Sequence, residues 1–182
     1  RDGVAWAKTV KVTVNLSPLQ FTAGDLPANV QSALSDASLD PARLRLEIGE
    51  GLLDKKGCVA PAALDELRGL GIGITLDDFG KASGSLSNLQ AYPFDEIKID
   101  RTLVKDLPLR ADSRAIFSAV AGLARSLGIR SVAEGVETRD ELTMVARSGC
   151  NKVQGFYISR PVPAAELTAV LSECPSKLAV AA

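Results

Sequence analysis

Apolar runs bounded by glycine, proline and acidic residues predict strands over 10–16, 43–48, 72–77, 96–100, 129–133 and 152–156. Between them, apolar residues recurring every three or four positions predict helices over 26–37, 60–70, 86–91, 113–127, 139–147 and 164–172. The result is six consecutive β-α units with no long linker and no low-complexity stretch. Boundary residues agree with this division. Gly71, Gly128 and Gly149 each stand between a helix and the next strand, where a left-handed cap is wanted. Thr138 and Glu141 have the T-x-x-E spacing of a capping box. Strands 72–76 and 129–133 are apolar at almost every position, the pattern of parallel strands buried on both faces. Six units fall short of the eight of a closed β/α barrel. Either the sheet is open and doubly wound, or about two units lie outside this sequence. The opening favours the second reading. The segment ahead of the first predicted strand carries no helix cap, and its Ala5, Trp6 and Ala7 resemble the frayed end of a helix.

Each predicted strand runs apolar and then finishes in a group that can bind metal or handle protons. The endings are Asn15, Glu47, Asp77 with Asp78, Lys98 with Asp100, Glu134, and Gln154. In a parallel β/α barrel all these ends meet on one rim, where the loops build the active site. Seven of the 22 acidic residues, namely Glu47, Glu50, Asp77, Asp78, Asp100, Glu134 and Glu137, would crowd it. Carboxylates at that density repel one another unless a positive charge sits among them, and a hard divalent cation is the usual one.

Composition narrows the chemistry. The 182 residues, 46% hydrophobic, suffice for one globular domain with a real core. A net charge of −1 excludes a broad basic footprint, so duplex nucleic acid is not the expected partner, and any nucleotide ligand would be small and held through metal. No run reaches the roughly 18 apolar residues of a membrane span and no signal-peptide pattern opens the chain. Cys58, Cys150 and Cys174 are too far apart for a metal knuckle or disulfide framework, which suits a reducing cytoplasm. Histidine is absent altogether. That removes Ser-His-Asp and Cys-His nucleophiles, histidine acid-base catalysis and most zinc sites, leaving carboxylates, lysine and oxygen-ligated metal.

Taken singly, the candidates are ambiguous. Adjacent residues of a strand point to opposite faces, so Asp77 and Asp78 serve one site only where strand gives way to loop; Phe79-Gly80 supplies that break, as would an ordinary Asp- and Gly-rich surface turn. Asp78-Phe79-Gly80 also spells the kinase D-F-G triplet, but neither a glycine-rich phosphate loop nor H-R-D accompanies it. Lys98 and Asp100 share a strand face, either as an active-site lysine among carboxylates or as a surface ion pair. Glu137 suits a helix N-terminus through the dipole, whereas Glu134, at the strand end, is the better candidate for chemistry. Glu47 and Glu50 pose the same choice, and Asn15 alone is a weak signal.

In series these segments closely resemble the EAL domain of bacterial cyclic-di-GMP phosphodiesterases. Val14-Asn15-Leu16-Ser17 is similar to the family's V-N-L-S segment, Glu47 to Glu50 to its E-x-x-E, and Leu76 to Gly80 to its L-D-D-F-G. Glu96 to Arg101, Val132 to Thr138, Gln154-Gly155-Phe156 and Ser159-Arg160-Pro161 follow in family order, so the likeness spans essentially the whole chain. The resemblance implies an α/β fold, a modified TIM-like (β/α)8 barrel of which about six β-α units are present, and hydrolysis of cyclic-di-GMP to linear pGpG with Mg²⁺ or Mn²⁺, two ions in all. It implies Asn15, Glu47 and Asp77 as metal ligands and Asp78 as ligand to a second ion. Lys98 would contact the attacking water and Glu134 would act as general base or second-metal ligand. Glu50 would anchor the loop after Asp78, with Asp100, Glu137 and Gln154 completing the wall around metals and substrate. It implies a homodimer contact through the loop after Gly80, and membrane association only through domains outside this chain.

Two departures stand out. The E-A-L triplet, whose glutamate is a metal ligand in the family, occurs nowhere in the chain, so residues 1–182 are expected to be an EAL-type domain truncated at its N-terminus. The loop after Gly80 reads Lys81-Ala82-Ser83-Gly84-Ser85-Leu86 where the family continues T-G-Y-S-S-L. Two other functions fit the residues: a degenerate EAL domain that binds cyclic-di-GMP or a protein without hydrolysis, and a magnesium barrel in which Lys98 abstracts a proton beside a carboxylate.

Overall fold

Successive side chains of a strand point to opposite faces, so a parallel sheet covered on both sides has to bury two different sets of residues. The computed structural model describes residues 10–22, 25–53, 61–81 and 86–178. The expected frayed helix end at Ala5, Trp6 and Ala7, Cys58, the loop residues 82–85 and the side chain of Cys174 lie outside them. The chain divides into two units, residues 1–96 and 97–182.

The first unit contains β1 (Val12–Asn15), α1 (Pro18–Thr22), α2 (Leu26–Ala37), a 3₁₀ turn (Pro41–Arg43), β2 (Leu44–Gly49), α3 (Glu50–Leu53), α4 (Pro61–Gly69), β3 (Gly73–Phe79) and α5 (Leu86–Ala91). Strands β1, β2 and β3 are parallel neighbours in chain order. Leu46 aligns with Val14 and Ile74, and Glu47 with Asn15 and Thr75. Registered partners in a parallel sheet share a side, so the register sorts the residues cleanly. Leu46, Ile48, Ile74 and Leu76, each at most 2% exposed, form one face. Helix α4 packs on β3, α3 on both β2 and β3, and α2 on α4. Burial of each such leucine or isoleucine is worth about 1.5–3 kcal/mol. The other face carries Asn15, Arg45, Glu47, Gly73, Thr75 and Asp77.

Local chemistry sets the helix ends. Asp25 accepts a hydrogen bond from the Ala28 N–H at the start of α2, with Pro27 inside the first turn. At its end Ser38 adopts a left-handed conformation, and its N–H donates to the carbonyls of Leu34 and Ser35. After α4, Gly71 takes φ +91, as its place between helix and strand requires.

In the second unit, β4 (Glu96–Ile99) continues from the last residue of the first, followed by α6 (Arg101–Lys105), α7 (Ala111–Ser126), β5 (Arg130–Ala133), α8 (Arg139–Arg147), β6 (Lys152–Val153) and α9 (Ala164–Leu178). β5 and β6 are parallel, with Ala133 opposite Val153. The capping box forms as the sequence predicts: the Glu141 N–H donates to Thr138 Oγ1, and the Thr138 N–H to Glu141 Oε2. Among the described residues no helix is long and apolar enough to cross a membrane.

Strand ends differ from the pattern-based expectation. β1 occupies 12–15 rather than 10–16, and β6 stops at Val153 instead of Phe156. The reason for the second is visible at Gly155. A Cβ there would lie 2.1 Å from the Val136 carbonyl oxygen, so the chain leaves the strand to run against the segment after β5. That approach is fixed by hydrogen bonds from the Val136 N–H to the Gln154 carbonyl and from the Tyr157 N–H to the Val136 carbonyl. Three short helices, α1, α3 and α6, were not expected, because four or five residues carry too little periodicity to register. Gly155→Ala should therefore destabilise the fold by about 1–3 kcal/mol or more, the cost of overpacking against backbone that cannot yield. Urea denaturation would measure it.

Candidate active site

In the first unit, four of the residues singled out by sequence cluster on the polar face or directly beyond it. Asn15 and Glu47 are registered partners, and the Leu16 N–H donates to the Glu47 carbonyl at 2.8 Å, tying the end of β1 to β2. Glu47 is buried, whereas Asn15 is exposed. Asp77 stands opposite Gly49 and two positions beyond Thr75, and thus on the same face as Glu47. Glu50 opens α3 and is 1% exposed.

β3 runs to Phe79 and gives way at Gly80, with φ +92, but its regular geometry is already interrupted at Asp78, which is left-handed with φ +60. Aspartate tolerates this region because its short polar side chain can bond locally. Here its N–H donates to Asp77 Oδ1 at 3.0 Å. Its own carboxylate has a neighbour in Lys81, whose Nζ lies 3.4 Å from Oδ1.

In the second unit, the Lys98 ammonium and Glu134 carboxylate form an ion pair at 2.7 Å, with side chains 7% and 17% exposed. The alternative of a surface pair for Lys98 does not hold. The Glu134 N–H donates to the Ile99 carbonyl, which brings the ends of β5 and β4 together. Asp100 lies past the end of β4 and caps α6, accepting from the Thr102 N–H at 2.9 Å and the Thr102 hydroxyl at 2.6 Å. Glu137 and Gln154 both expose their side chains. Their backbones hold the neighbouring loops, Glu137 N–H donating to Glu141 Oε2 and Gln154 N–H to the Ala133 carbonyl.

Sequence reasoning passed over Arg45, Thr75 and Glu96, which are buried polar residues on the same strands. Arg45 Nη1 lies 3.3 Å from Glu96 Oε2, with side chains 4% and 8% exposed. Thr75 is fully buried, and its hydroxyl has no hydrogen-bond partner among the described residues. The signal was the period-two alternation Leu44-Arg45-Leu46-Glu47-Ile48 and Ile74-Thr75-Leu76-Asp77, hidden by attention to the strand ends.

The donors assembled in the first unit are all oxygen: two carboxylates and an amide on one face, with Asp78 next along the chain. Oxygen donors suit hard divalent cations such as Mg²⁺ and Mn²⁺, and with no histidine in the sequence nitrogen competition from imidazole is absent. The residues present therefore fit such an ion.

The sequence model described as the EAL domain matches residues 2–161, nearly nine-tenths of the chain. The chain belongs to the EAL domain family. The bifunctional diguanylate cyclase/cyclic di-GMP phosphodiesterase MucR of Pseudomonas aeruginosa is 41% identical over 158 residues, which make up 87% of this chain and 23% of that protein. The chain thus spans only about a quarter of such a relative. The solved EAL domain of Mycobacterium smegmatis DcpA superposes with a TM-score of 0.87 at 30% identity, covering 94% of this chain and 77% of that one. Klebsiella pneumoniae BlrP1, in a manganese/cy-diGMP complex, gives a TM-score of 0.78 at 32% identity over 83% of this chain and 39% of its own. The α/β fold is accordingly that of a family of TIM-like barrels.

The two roles available to Asp100 separate by mutation. Asparagine caps helices about as well as aspartate, so Asp100→Asn should lose less stability than Asp100→Ala by about 1 kcal/mol. Thermal denaturation of the two variants checks this, and equal losses would mean that the charge of Asp100, not its cap, matters to the fold.

Proposed function

We propose that this EAL chain is the catalytic portion of a metal-dependent phosphodiesterase that opens cyclic-di-GMP to linear pGpG in second-messenger signalling. The observation that carries this reading is the ion pair of buried Lys98 with half-buried Glu134 at the ends of β4 and β5. An ammonium and a carboxylate in direct contact, both largely withdrawn from bulk solvent, can bind one water lying against both, the ammonium as donor and the carboxylate as base. Lys98 would orient that water through a charge-assisted hydrogen bond. Glu134 would take its proton as the oxygen attacks phosphorus. The phosphorus–3′-oxygen bond breaks, and the departing oxygen leaves as a hydroxyl on taking a proton from solvent, while Glu134 returns the proton it accepted to solvent.

Asn15, Glu47, Asp77 and Asp78 would hold Mg²⁺ or Mn²⁺, taken as two ions, which when bound would activate water and offset the charge of the phosphate. Support for a divalent ion comes from the oxygen-only donor set and from the manganese complex of the Klebsiella relative. Glu50 would steady the loop after Asp78, while Asp100, Glu137 and Gln154 would line the substrate. The same reading puts the domain in the cytoplasm and a second copy of the chain against the loop that follows Gly80.

One observation favours a second reading. The Lys81 ammonium beside Asp78 is a positive charge already at a carboxylate meant for a cation. A domain weakened in metal binding this way would retain cyclic-di-GMP without cleaving it and act as a receptor. Both groups are substantially exposed, so the pair itself is worth little and a cation of twice the charge can compete with it. That weighs toward hydrolysis.

Two mutants test the assignments. Asp77→Asn should abolish Mn²⁺- or Mg²⁺-dependent turnover of cyclic-di-GMP, and unchanged turnover would remove Asp77 from the site. Lys98→Ala should lower kcat by about 10² or more while altering dinucleotide affinity far less, as expected of a group acting mainly in the transition state. Lost binding with normal kcat would instead make Lys98 a phosphate anchor. If the unmutated protein binds the dinucleotide without turnover, and Lys81→Thr restores cleavage, the receptor reading is correct.

A further inference from the structure

Arg45 and Glu96 form a buried ion pair that plays no part in the chemistry above and that stability alone does not explain. Nη1 of Arg45 lies 3.3 Å from Glu96 Oε2, an ion pair without a formal hydrogen bond from that nitrogen among the described residues. Nε of Arg45 also donates to nothing among the described residues. Burying a guanidinium with donors unmet is costly, and a buried pair of this kind is often no more stabilising than apolar side chains of the same size.

The path of the arginine is nevertheless specific. Arg45 on β2 is the registered partner of Gly73 on β3, and a Cβ at Gly73 would lie 3.2 Å from Arg45 Cγ and 3.6 Å from its Cζ. The side chain therefore crosses β3 through the gap left by a missing Cβ and reaches the first residue of β4. Two residues beyond Arg45, on the same face of the same strand, stands Glu47, flanked by its registered partners Asn15 and Thr75.

We propose that the Arg45–Glu96 pair, seated through the notch at Gly73, is a positioning device that fixes β2 so that the Glu47 carboxylate is presented to the metal. The inference rests on the reading of Glu47 as a metal ligand. Charge attraction spanning three strands resists the small slides that apolar packing permits, and supports of this sort behind a ligand typically govern metal affinity by about 10–100-fold.

The test replaces both charges with apolar groups of similar size, Arg45→Met together with Glu96→Leu, in the full chain. Mn²⁺ binding is followed by the loss of the free-ion electron paramagnetic resonance signal, and folding by thermal denaturation. The expected result is a folded protein with Tm unchanged or raised and affinity for Mn²⁺ reduced about tenfold or more. Gly73→Ala, which keeps both charges and crowds the arginine, should weaken Mn²⁺ binding in the same direction. A double variant that does not fold overturns the proposal, because the pair would then be a stability element. A folded double variant with unchanged affinity overturns it too. Turnover of cyclic-di-GMP by the unmutated protein is measured alongside. If that protein binds Mn²⁺ but cleaves nothing, hydrolysis is wrong and the positioning role stands; if it binds no Mn²⁺, the metal reading fails and the positioning role with it.

Discussion

Placing charge on a covered face of a parallel sheet is the constraint on which the site depends. An ionised side chain withdrawn from water is tolerated only when an opposite charge or a set of hydrogen bonds replaces its hydration. In the first unit β2 carries Arg45 and Glu47, both buried, between Leu44, Leu46 and Ile48 on the opposite face. In the second, β4 sets Lys98 between Ile97 and Ile99, neither of them measurably exposed. Each unit meets the requirement by reaching across strands, with Arg45 to Glu96 in one and Lys98 to Glu134 in the other. Because partner and partnered lie on different strands, the charges specify register as well as satisfying one another. A one-residue slip would turn every one of them into the apolar face.

The same constraint explains where glycine and left-handed backbone are needed. Gly73 is a notch for a side chain, and Gly155 lets one backbone segment touch another. Among the described residues Asp78 is the one acidic position with left-handed backbone, near the end of β3. Backbone in this region costs a non-glycine residue about 1–2 kcal/mol, and the hydrogen bond from its N–H to Asp77 Oδ1 offsets part of that. Such strain takes Asp78 out of the strict alternation of faces that an unbent strand would impose on it.

Much of this was legible from sequence, for an identifiable reason. Strand and helix periods differ, glycine and capping residues punctuate them, and each strand end carries its polar group in the linear order of the chain, so fold class and candidate residues could be named before any coordinate was known. The boundaries of β6 and the turn at Asp78 could not. Both are set by contacts with residues distant in sequence or by a dihedral that aspartate adopts only in context, as the Val136 carbonyl beside Gly155 illustrates. Asp100 shows a subtler limit. Its two-residue spacing from Lys98 predicted a shared face, but the residue sits just beyond the strand and bonds Thr102. Spacing gives direction along a strand and says nothing about where the strand stops.

The pair that sequence reasoning missed carries the broader lesson. Arg45 and Glu96 are 51 positions apart, neither stands at the C-terminal end of a strand, and each looks like an ordinary surface charge when read alone. Only the register of β2 on β3, with Gly73 opposite Arg45, shows that the arginine has an unobstructed way to the next strand. A glycine in the middle of a buried strand sacrifices packing and stiffness. It is retained at no disadvantage only if something fills the space its side chain vacates, and here that something is a guanidinium on its way to a carboxylate. Polar residues at alternate positions of apolar strands, paired with a glycine at the same level of the neighbouring strand, are therefore a pattern to search for in β/α sheets whenever the strand ends bear the chemistry.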